Sequence, residues 1–354
     1  MTENKLFSGS CQAMGTRVQI HLYAGDENRA ELYFEMAFDE IRRIDRTLSH
    51  YQDRSELTRI NRSAARKAVT TDPEVFRFLE LGFEYSRRSG GAFDVTIGPL
   101  VRLWGFFHGS MQVPSDDDLR QTLGTVGWQR VALDPAWRSI QFLTPGVELD
   151  PGALGKGYAV DRVVSLLRDE GVHAALIDAG SSSIYGLGSP PGKPGWIVRV
   201  PYPGNPSRCL STVNLRDNSL STSGSYEKFF RLRGRTYCHI LDPRTGRPVG
   251  GMLQTTVISP HATDSEALST IAFVSGPRTS LELLQETSGA SALWVLGEPG
   301  TGDQIQTWNW TEPVLAVGGL AYRSSIEALL PEESEIQENA FQPSKELVTK
   351  GNDK

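Results

Sequence analysis

The sequence predicts an α+β fold, a single large domain of mixed, largely antiparallel sheets flanked by helices. Two observations carry this. Strand-like and helix-like segments do not alternate strictly, as a doubly wound parallel sheet would require; helices dominate early and strands later. No internal repeat and no linker rich in Gly or Pro cuts the body, so residues 7–330 read as one domain. A chain of 354 residues can bury a core of that size.

The elements follow in order. Alternation in Arg17-Val18-Gln19-Ile20-His21-Leu22 predicts a strand, and Arg29 to Ser49 carries Leu32, Phe34, Met36, Ile41 and Ile44 at helical spacing. A second helix runs from Pro73 to Ser89, where Gly90-Gly91 stops it. Leu149 to Gly157 reads as a Gly-rich turn opening a third helix over Tyr158 to Glu170. Ala174 to Ile177, Trp196 to Val200, Tyr237 to Leu241 and Thr255 to Ser259 read as strands, and one more helix spans Thr263 to Val274. Ser189 to Gly195 is a surface loop. Pro331 to Lys354 is polar and without period, which predicts a disordered tail.

Composition excludes several classes. Lys plus Arg number 36 against 42 Asp plus Glu, a formal net charge of −6, so nucleic acid is not expected as a partner. Cys11, Cys209 and Cys238 are widely spaced with no CxxC, which argues against a disulfide framework or a cysteine zinc site. No apolar run reaches the roughly 18 residues of a membrane span. The opening MTENKLFSGSCQAMGT lacks a basic and then an apolar region. Taken as complete, the chain is expected in the cytoplasm; a leader upstream would place it in the cell envelope.

Three segments carry chemistry. Asp150-Pro151-Gly152-Ala153-Leu154-Gly155-Lys156-Gly157 combines backbone N–H groups, a helix start and a lysine, which suits a phosphate or pyrophosphate. It matches neither a Walker loop nor a dinucleotide fingerprint, and an ordinary helix-capping turn is the alternative. In Thr263-Asp264-Ser265-Glu266-Ala267-Leu268-Ser269-Thr270, Glu266 and Thr270 stand four apart on one helix face and could share a hard cation. Thr263-x-x-Glu266 also matches a capping box, the reading favoured by the local sequence. In Tyr237-Cys238-His239-Ile240-Leu241, period two places Tyr237, His239 and Leu241 on one strand face before the tight turn of Asp242-Pro243-Arg244-Thr245-Gly246. His239 then serves either as a ligand or proton-transfer group or as a structural histidine. Tyr51, Phe93 and Trp104 are aromatics in polar settings that could flank a flat ring, or belong to the core.

Taken together and in order, these blocks resemble the ApbE family of flavin transferases, the FAD:protein FMN transferases. The resemblance rests on Met14-Gly15-Thr16, Leu48 to Asn61, Gly91-Ala-Phe-Asp94-Val-Thr96-Ile-Gly-Pro99-Leu, Trp104-Gly105-Phe106, Asp150 to Asp161, Ser223-Gly224-Ser-Tyr226 and His239 to Pro248. It implies an ApbE-like domain and a Mg²⁺-dependent enzyme that cleaves FAD at its pyrophosphate, releases AMP, and links FMN by a phosphoester to a Thr or Ser of an acceptor flavoprotein. By position, Met14, Tyr51, Ala92, Phe93, Asp94, Lys156 and His239 would line the FAD site. The Gly155 carbonyl would join Glu266 and Thr270 on Mg²⁺, with His239, Glu266 and Lys156 catalytic. Glu266 stands where the family usually has Asp, and the usual Asn-x-Gly-Gly segment reads Asp178-Ala179-Gly180-Ser181. A pyrophosphatase yielding AMP and FMN, or a silent flavin-binding protein, are the alternatives.

Overall fold

The computed structural model describes residues 4–49, 52–106, 111–297 and 303–315, with the backbone alone of 321–323. Its centre is a nine-stranded sheet whose spatial order follows chain order: Lys5–Ala13, Thr16–Ala24, Ala174–Ala179, Ser183–Gly188, Asn218–Gly224, Met252–Ser259, Ser291–Leu296, Gln304–Trp308 and Ala321–Arg323. Neighbouring strands are antiparallel except the last pair, which is parallel. The expected α+β architecture is therefore present. No helix among the described residues is long and apolar enough to cross a membrane.

Helices enter as insertions between neighbouring strands. The first insertion holds α1 (Glu27–Leu48), α2 (Glu56–Ser63), α3 (Pro73–Arg88), α4 (Gly98–Leu103), α5 (Asp116–Leu123) and α6 (Gly155–Asp169); the last carries α7 (Ala262–Glu286). Local signals account for several boundaries. Asp26 accepts the Arg29 N–H to start α1, and Asp72 with Pro73 at the first position starts α3.

Both faces of the sheet are covered. On one, Val18, Ile20 and Leu22 pack with Ala37, Ile41, Val163 and Val164 of α1 and α6, and Val257 packs with Leu268 and Ile271 of α7. On the other, a long hairpin of Trp196–Tyr202 and Asn205–Leu215 lays Trp196, Val198 and Val213 over Leu220, Ile258 and Leu293. Adjacent residues Val257 and Ile258 thus serve opposite cores. This explains why every residue of Met252–Ser259 is buried.

α6 and α7 cap each other. Neither helix start has a side-chain cap of its own. Asp161 of α6 accepts the N–H groups of Ala262 (2.7 Å) and Thr263 (2.8 Å) and the Thr263 hydroxyl. In return, Glu266 of α7 accepts the Gly157 N–H at 2.6 Å. Each carboxylate meets the positive end of the other helix, where it satisfies orphan donors. The crossing is close: a Cβ on Gly157 would lie 2.3 Å from the Ala262 carbonyl oxygen.

The structure corrects four local expectations. The Thr263–Glu266 capping box does not form, because His261 is the N-cap and the Thr263 N–H goes to Asp161. α6 begins at Gly155 rather than Tyr158. α7 continues to Glu286 through a kink at Gly276 before Pro277. The strand expected over Tyr237 to Leu241 is broken: Arg235–Cys238 pairs with Phe229–Leu232, Leu241–Asp242 pairs with Arg247–Pro248, and His239 and Ile240 lie between. The tail from Pro331 lies outside the described residues.

Gly157→Ala is expected to lower the unfolding free energy by about 3 kcal/mol, because the helices must separate to admit the methyl group. Gly171→Ala, at a positive φ with open space around it, is expected to cost about 1–2 kcal/mol. Chemical denaturation of the two variants measures the difference; equal losses would refute the tight crossing.

Candidate active site

A cleft of about 620 Å³ opens beside the α6–α7 junction, within the roughly 300–1,000 Å³ usual for small-molecule sites. Its walls come from the Met14–Gly15 turn, the 92–94 segment, the 150–156 turn, the Ser221–Gly224 end of a central strand, the 239–243 segment and α7. Residues far apart in sequence meet here because the sheet and the two mutually capped helices bring their ends to one place.

Lys156 and Glu266 pair at its buried end. Lys156 Nζ lies 2.5 Å from Glu266 Oε1, while Oε2 takes the Gly157 N–H. Glu266 is 4% exposed. The N–H groups of Gly152, Leu154 and Gly155 are likewise accepted within the turn, by Asp150 and Pro151. The expected rosette of open N–H donors is thus largely spent, which leaves the Lys156 ammonium, rather than the backbone of the turn, as the group at this end that could meet an anion.

Thr270 lies one turn beyond Glu266 on α7. Its hydroxyl donates to the Glu266 carbonyl at 3.2 Å and stands 3.4 Å from Ser223 Oγ. Glu266, Thr270, Ser223 and Gly155 all line the cleft. Among the described residues no cluster of three or more His, Cys, Asp or Glu could hold a metal. The donor set is instead one carboxylate, its oxygens held by Lys156 and the Gly157 N–H, with neutral oxygens beside it; were Lys156 to turn to a substrate phosphate, Oε1 would be open to a Mg²⁺ completed by water and phosphate rather than a closed cage.

His239 also lines the cleft. Both its backbone N–H (2.9 Å) and its ring Nδ1 (3.0 Å) bond the Lys228 carbonyl. A carbonyl only accepts, so Nδ1 carries the proton and Nε2 keeps the lone pair. Burial lowers the imidazole pKa to about 4, and Lys228 and Lys156 push in the same direction against the Lys228 carbonyl bond. Tyr237, expected to share its face, instead stacks on Phe230 and leans on Trp104.

The remaining expected residues divide. Met14 lines the cleft at φ 53, the first central residue of the tight turn between the first two strands, and its N–H donates to Asp45 at 3.1 Å. A left-handed methionine costs about 1–2 kcal/mol, held here by the hairpin and Asp45. Ala92, Phe93 and Asp94 line the opposite wall. The Asp94 carboxylate is occupied by the Thr96 N–H and hydroxyl and the Trp128 N–H, so it shapes the wall rather than offering a free charge. Burial raises its pKa against those bonds. Trp104 is core, 1% exposed with its indole N–H on the Gly246 carbonyl. Tyr51 lies outside the described residues.

Sequence reasoning missed Glu227 and Lys228, which line the cleft beside His239. Burial raises the Glu227 pKa, opposed by Lys156 and Lys228. The nearest signal was the Ser223 to Tyr226 block, read only for its order along the chain, which ends one residue before Glu227.

The fold and the cleft define an α+β flavin-transferase architecture, and comparison with known proteins agrees. The ApbE family profile matches residues 14–294, and the chain belongs to the ApbE family. It is 34% identical to an FAD:protein FMN transferase of Klebsiella pneumoniae, over 83% of this chain and 90% of that protein. It is 32% identical to one of Treponema pallidum, over 80% and 82%. Among solved structures, the Thermotoga maritima ApbE protein superposes with TM-score 0.77 at 29% identity, covering 84% of this chain and 96% of the other. The Pseudomonas stutzeri flavinyl transferase ApbE gives 0.76 at 28% identity, covering 87% and 96%.

Glu266→Gln is expected to destabilise the protein by about 2 kcal/mol, since it leaves Lys156 without its buried partner; partial exposure of Lys156 keeps the loss below the ~3–5 kcal/mol of a fully buried pair. An unchanged unfolding midpoint would show the pair to be incidental. His239 gives a pH signature. Its folded pKa, about 4, lies below the ordinary ~6.5. It therefore contributes stability above pH ~6.5, and that contribution is lost as pH falls toward 4. Urea midpoints at pH 7 and pH 5 are expected to differ less in His239→Asn than in the wild-type chain.

Proposed function

We propose that the chain is an FAD:protein FMN transferase that takes FAD and an acceptor flavoprotein, releases AMP and leaves FMN on a Thr or Ser hydroxyl. The observation that carries the reading is the convergence of Lys156, His239 and the Glu266–Thr270 pair, from three places in the sequence, on one cleft. The similarity to proteins named for this activity supports it.

The residues divide the work as follows. Lys156, at the buried end, offers a point charge to the pyrophosphate. Phe93 and Met14 offer apolar surface for the flavin ring. Mg²⁺, when held by Glu266 and Thr270 with Ser223 and the Gly155 carbonyl nearby, would neutralise phosphate charge. His239 is neutral at pH 7, and Nε2 can take the proton of the attacking hydroxyl. The new bond joins that oxygen to the FMN phosphorus; the bond to the AMP phosphate breaks, and AMP leaves with the electron pair. Phosphoryl transfer of this kind depends mainly on positioning and charge stabilisation.

Mass spectrometry of acceptor flavoproteins co-expressed with the chain tests the reading. Covalent FMN on Thr or Ser supports it; free AMP with unlabelled acceptor would make the chain a pyrophosphatase, and neither product would make it a flavin-binding protein. Lys156→Ala is expected to weaken FAD binding at least about tenfold and to lower turnover with it, because the charge acts in ground and transition states alike. With FAD present, Mg²⁺ is expected to raise the melting temperature of the wild-type chain, an increment that Thr270→Val abolishes. A thermal shift that survives Thr270→Val would remove Thr270 from the metal site.

A further inference from the structure

The hairpin formed by Phe229–Leu232 and Arg235–Cys238 grows directly out of the cleft wall. Lys228 and His239, which line the cleft, bracket its first paired residues, Phe229 and Cys238. One face is anchored: Phe230 stacks on its cross-strand partner Tyr237 at 5.1 Å, and both rings approach Trp104. Alternation puts Phe229 and Arg231 on the other face, where the Arg231 guanidinium lies 5.7 Å from the Phe229 ring centre.

The cations in and beside this hairpin make no ion pair among the described residues. Lys228, Arg231, Arg233 and Arg235 are all exposed, and among the described residues no carboxylate comes within ion-pair range of any of them. Elsewhere on the surface many arginines are paired, among them Arg62 with Asp53, Arg87 with Glu84 and Arg120 with Asp117. The contrast is sharper because the whole chain carries a formal charge of −6. Phe229, beside Arg231 on the free face, is 41% exposed, and Leu232 with its cross-strand partner Arg235 is exposed on the Phe230 side. Arg233 sits at φ 49 before Gly234 at φ 78, at a turn position where Asn or Gly would be easier.

We propose that this hairpin is the docking surface for an acidic segment of the acceptor protein, delivering its hydroxyl to the cleft mouth. The inference rests on the transferase reading and names the surface that the second substrate uses. Cations beside an exposed aromatic ring match a segment in which Asp or Glu flank the target residue and an apolar side chain meets Phe229. Such a surface raises the encounter rate and selects partner sequence, and it weakens with salt.

Two fluorescent peptides of equal length test it, each with one central Thr and one Leu, one bearing four Asp and the other four Lys. With the FAD-loaded full chain, anisotropy is expected to show the acidic peptide binding at least about tenfold tighter, the gap narrowing at high salt. Arg231→Glu/Arg233→Glu/Arg235→Glu is expected to reverse the preference with FAD affinity and melting temperature unchanged. Arg231→Lys/Arg233→Lys/Arg235→Lys, which keeps the charge, is expected to retain it. Equal binding of the two peptides, or a preference that survives charge reversal, would overturn the surface. The same samples are read for an FMN mass increment: acidic peptide that binds through the hairpin yet gains no FMN speaks against the transferase reading alone, whereas FMN transfer indifferent to hairpin charge sinks the docking surface alone.

Discussion

The crossing of α6 and α7 is the constraint on which the rest depends. Two helix starts without caps of their own are placed side by side, and each lends the other a carboxylate, Asp161 in one direction and Glu266 in the other. An uncapped helix end buried in a core would strand several N–H groups, at about 1–3 kcal/mol each. Reciprocal capping removes that cost, and the absence of a side chain at Gly157 lets the backbones approach closely enough for the carboxylates to reach.

The same contact builds the cleft. Glu266 has two oxygens, and only one is consumed by the Gly157 N–H; the other holds Lys156 at the cleft's buried end. A single carboxylate therefore ties a structural junction to the lysine that lines the cleft. Thr270 follows one helical turn later and Ser223 arrives from the adjoining strand, so hydroxyls gather where the charge already is. Stability and chemistry are not separable at this point in the molecule.

Electrostatics sort the cleft's walls. Lys156 and Lys228 lie near His239 and join burial in holding its imidazole neutral, while the Lys228 carbonyl selects which ring nitrogen keeps its lone pair. Asp94, by contrast, is saturated by the Thr96 and Trp128 donors and acts as a brace. Farther out, Arg231, Arg233 and Arg235 of the Phe229–Cys238 hairpin have no carboxylate within ion-pair range among the described residues, on a chain whose formal net charge is −6.

Local chemistry made much of this legible in the sequence. The helix over Pro73 to Arg88 was legible from its paired glycines, and the structure adds the Asp72 cap and the proline at its first position, signals that act within a few residues. Strands showed over Arg17–Leu22, by alternation, and over Thr255–Ser259, and the ordered blocks around Lys156 and His239 pointed to the cleft. What the sequence could not decide was the partner of each polar group. Thr263 and Glu266 satisfy a local capping pattern, yet Asp161 takes the Thr263 N–H and Lys156 takes Glu266, since burial against α6 makes bonds across the crossing available that a lone helix lacks. Tyr237 and His239 look equivalent by period two, but the ladder ends at Cys238, so one ring goes to the aromatic cluster and the other to the cleft. Sequence by itself determined the longer helices and the strands whose signals act within a few residues; only tertiary packing decided which donors meet which acceptors across the α6–α7 crossing, because those choices depend on groups more than a hundred residues apart competing in the same dry space.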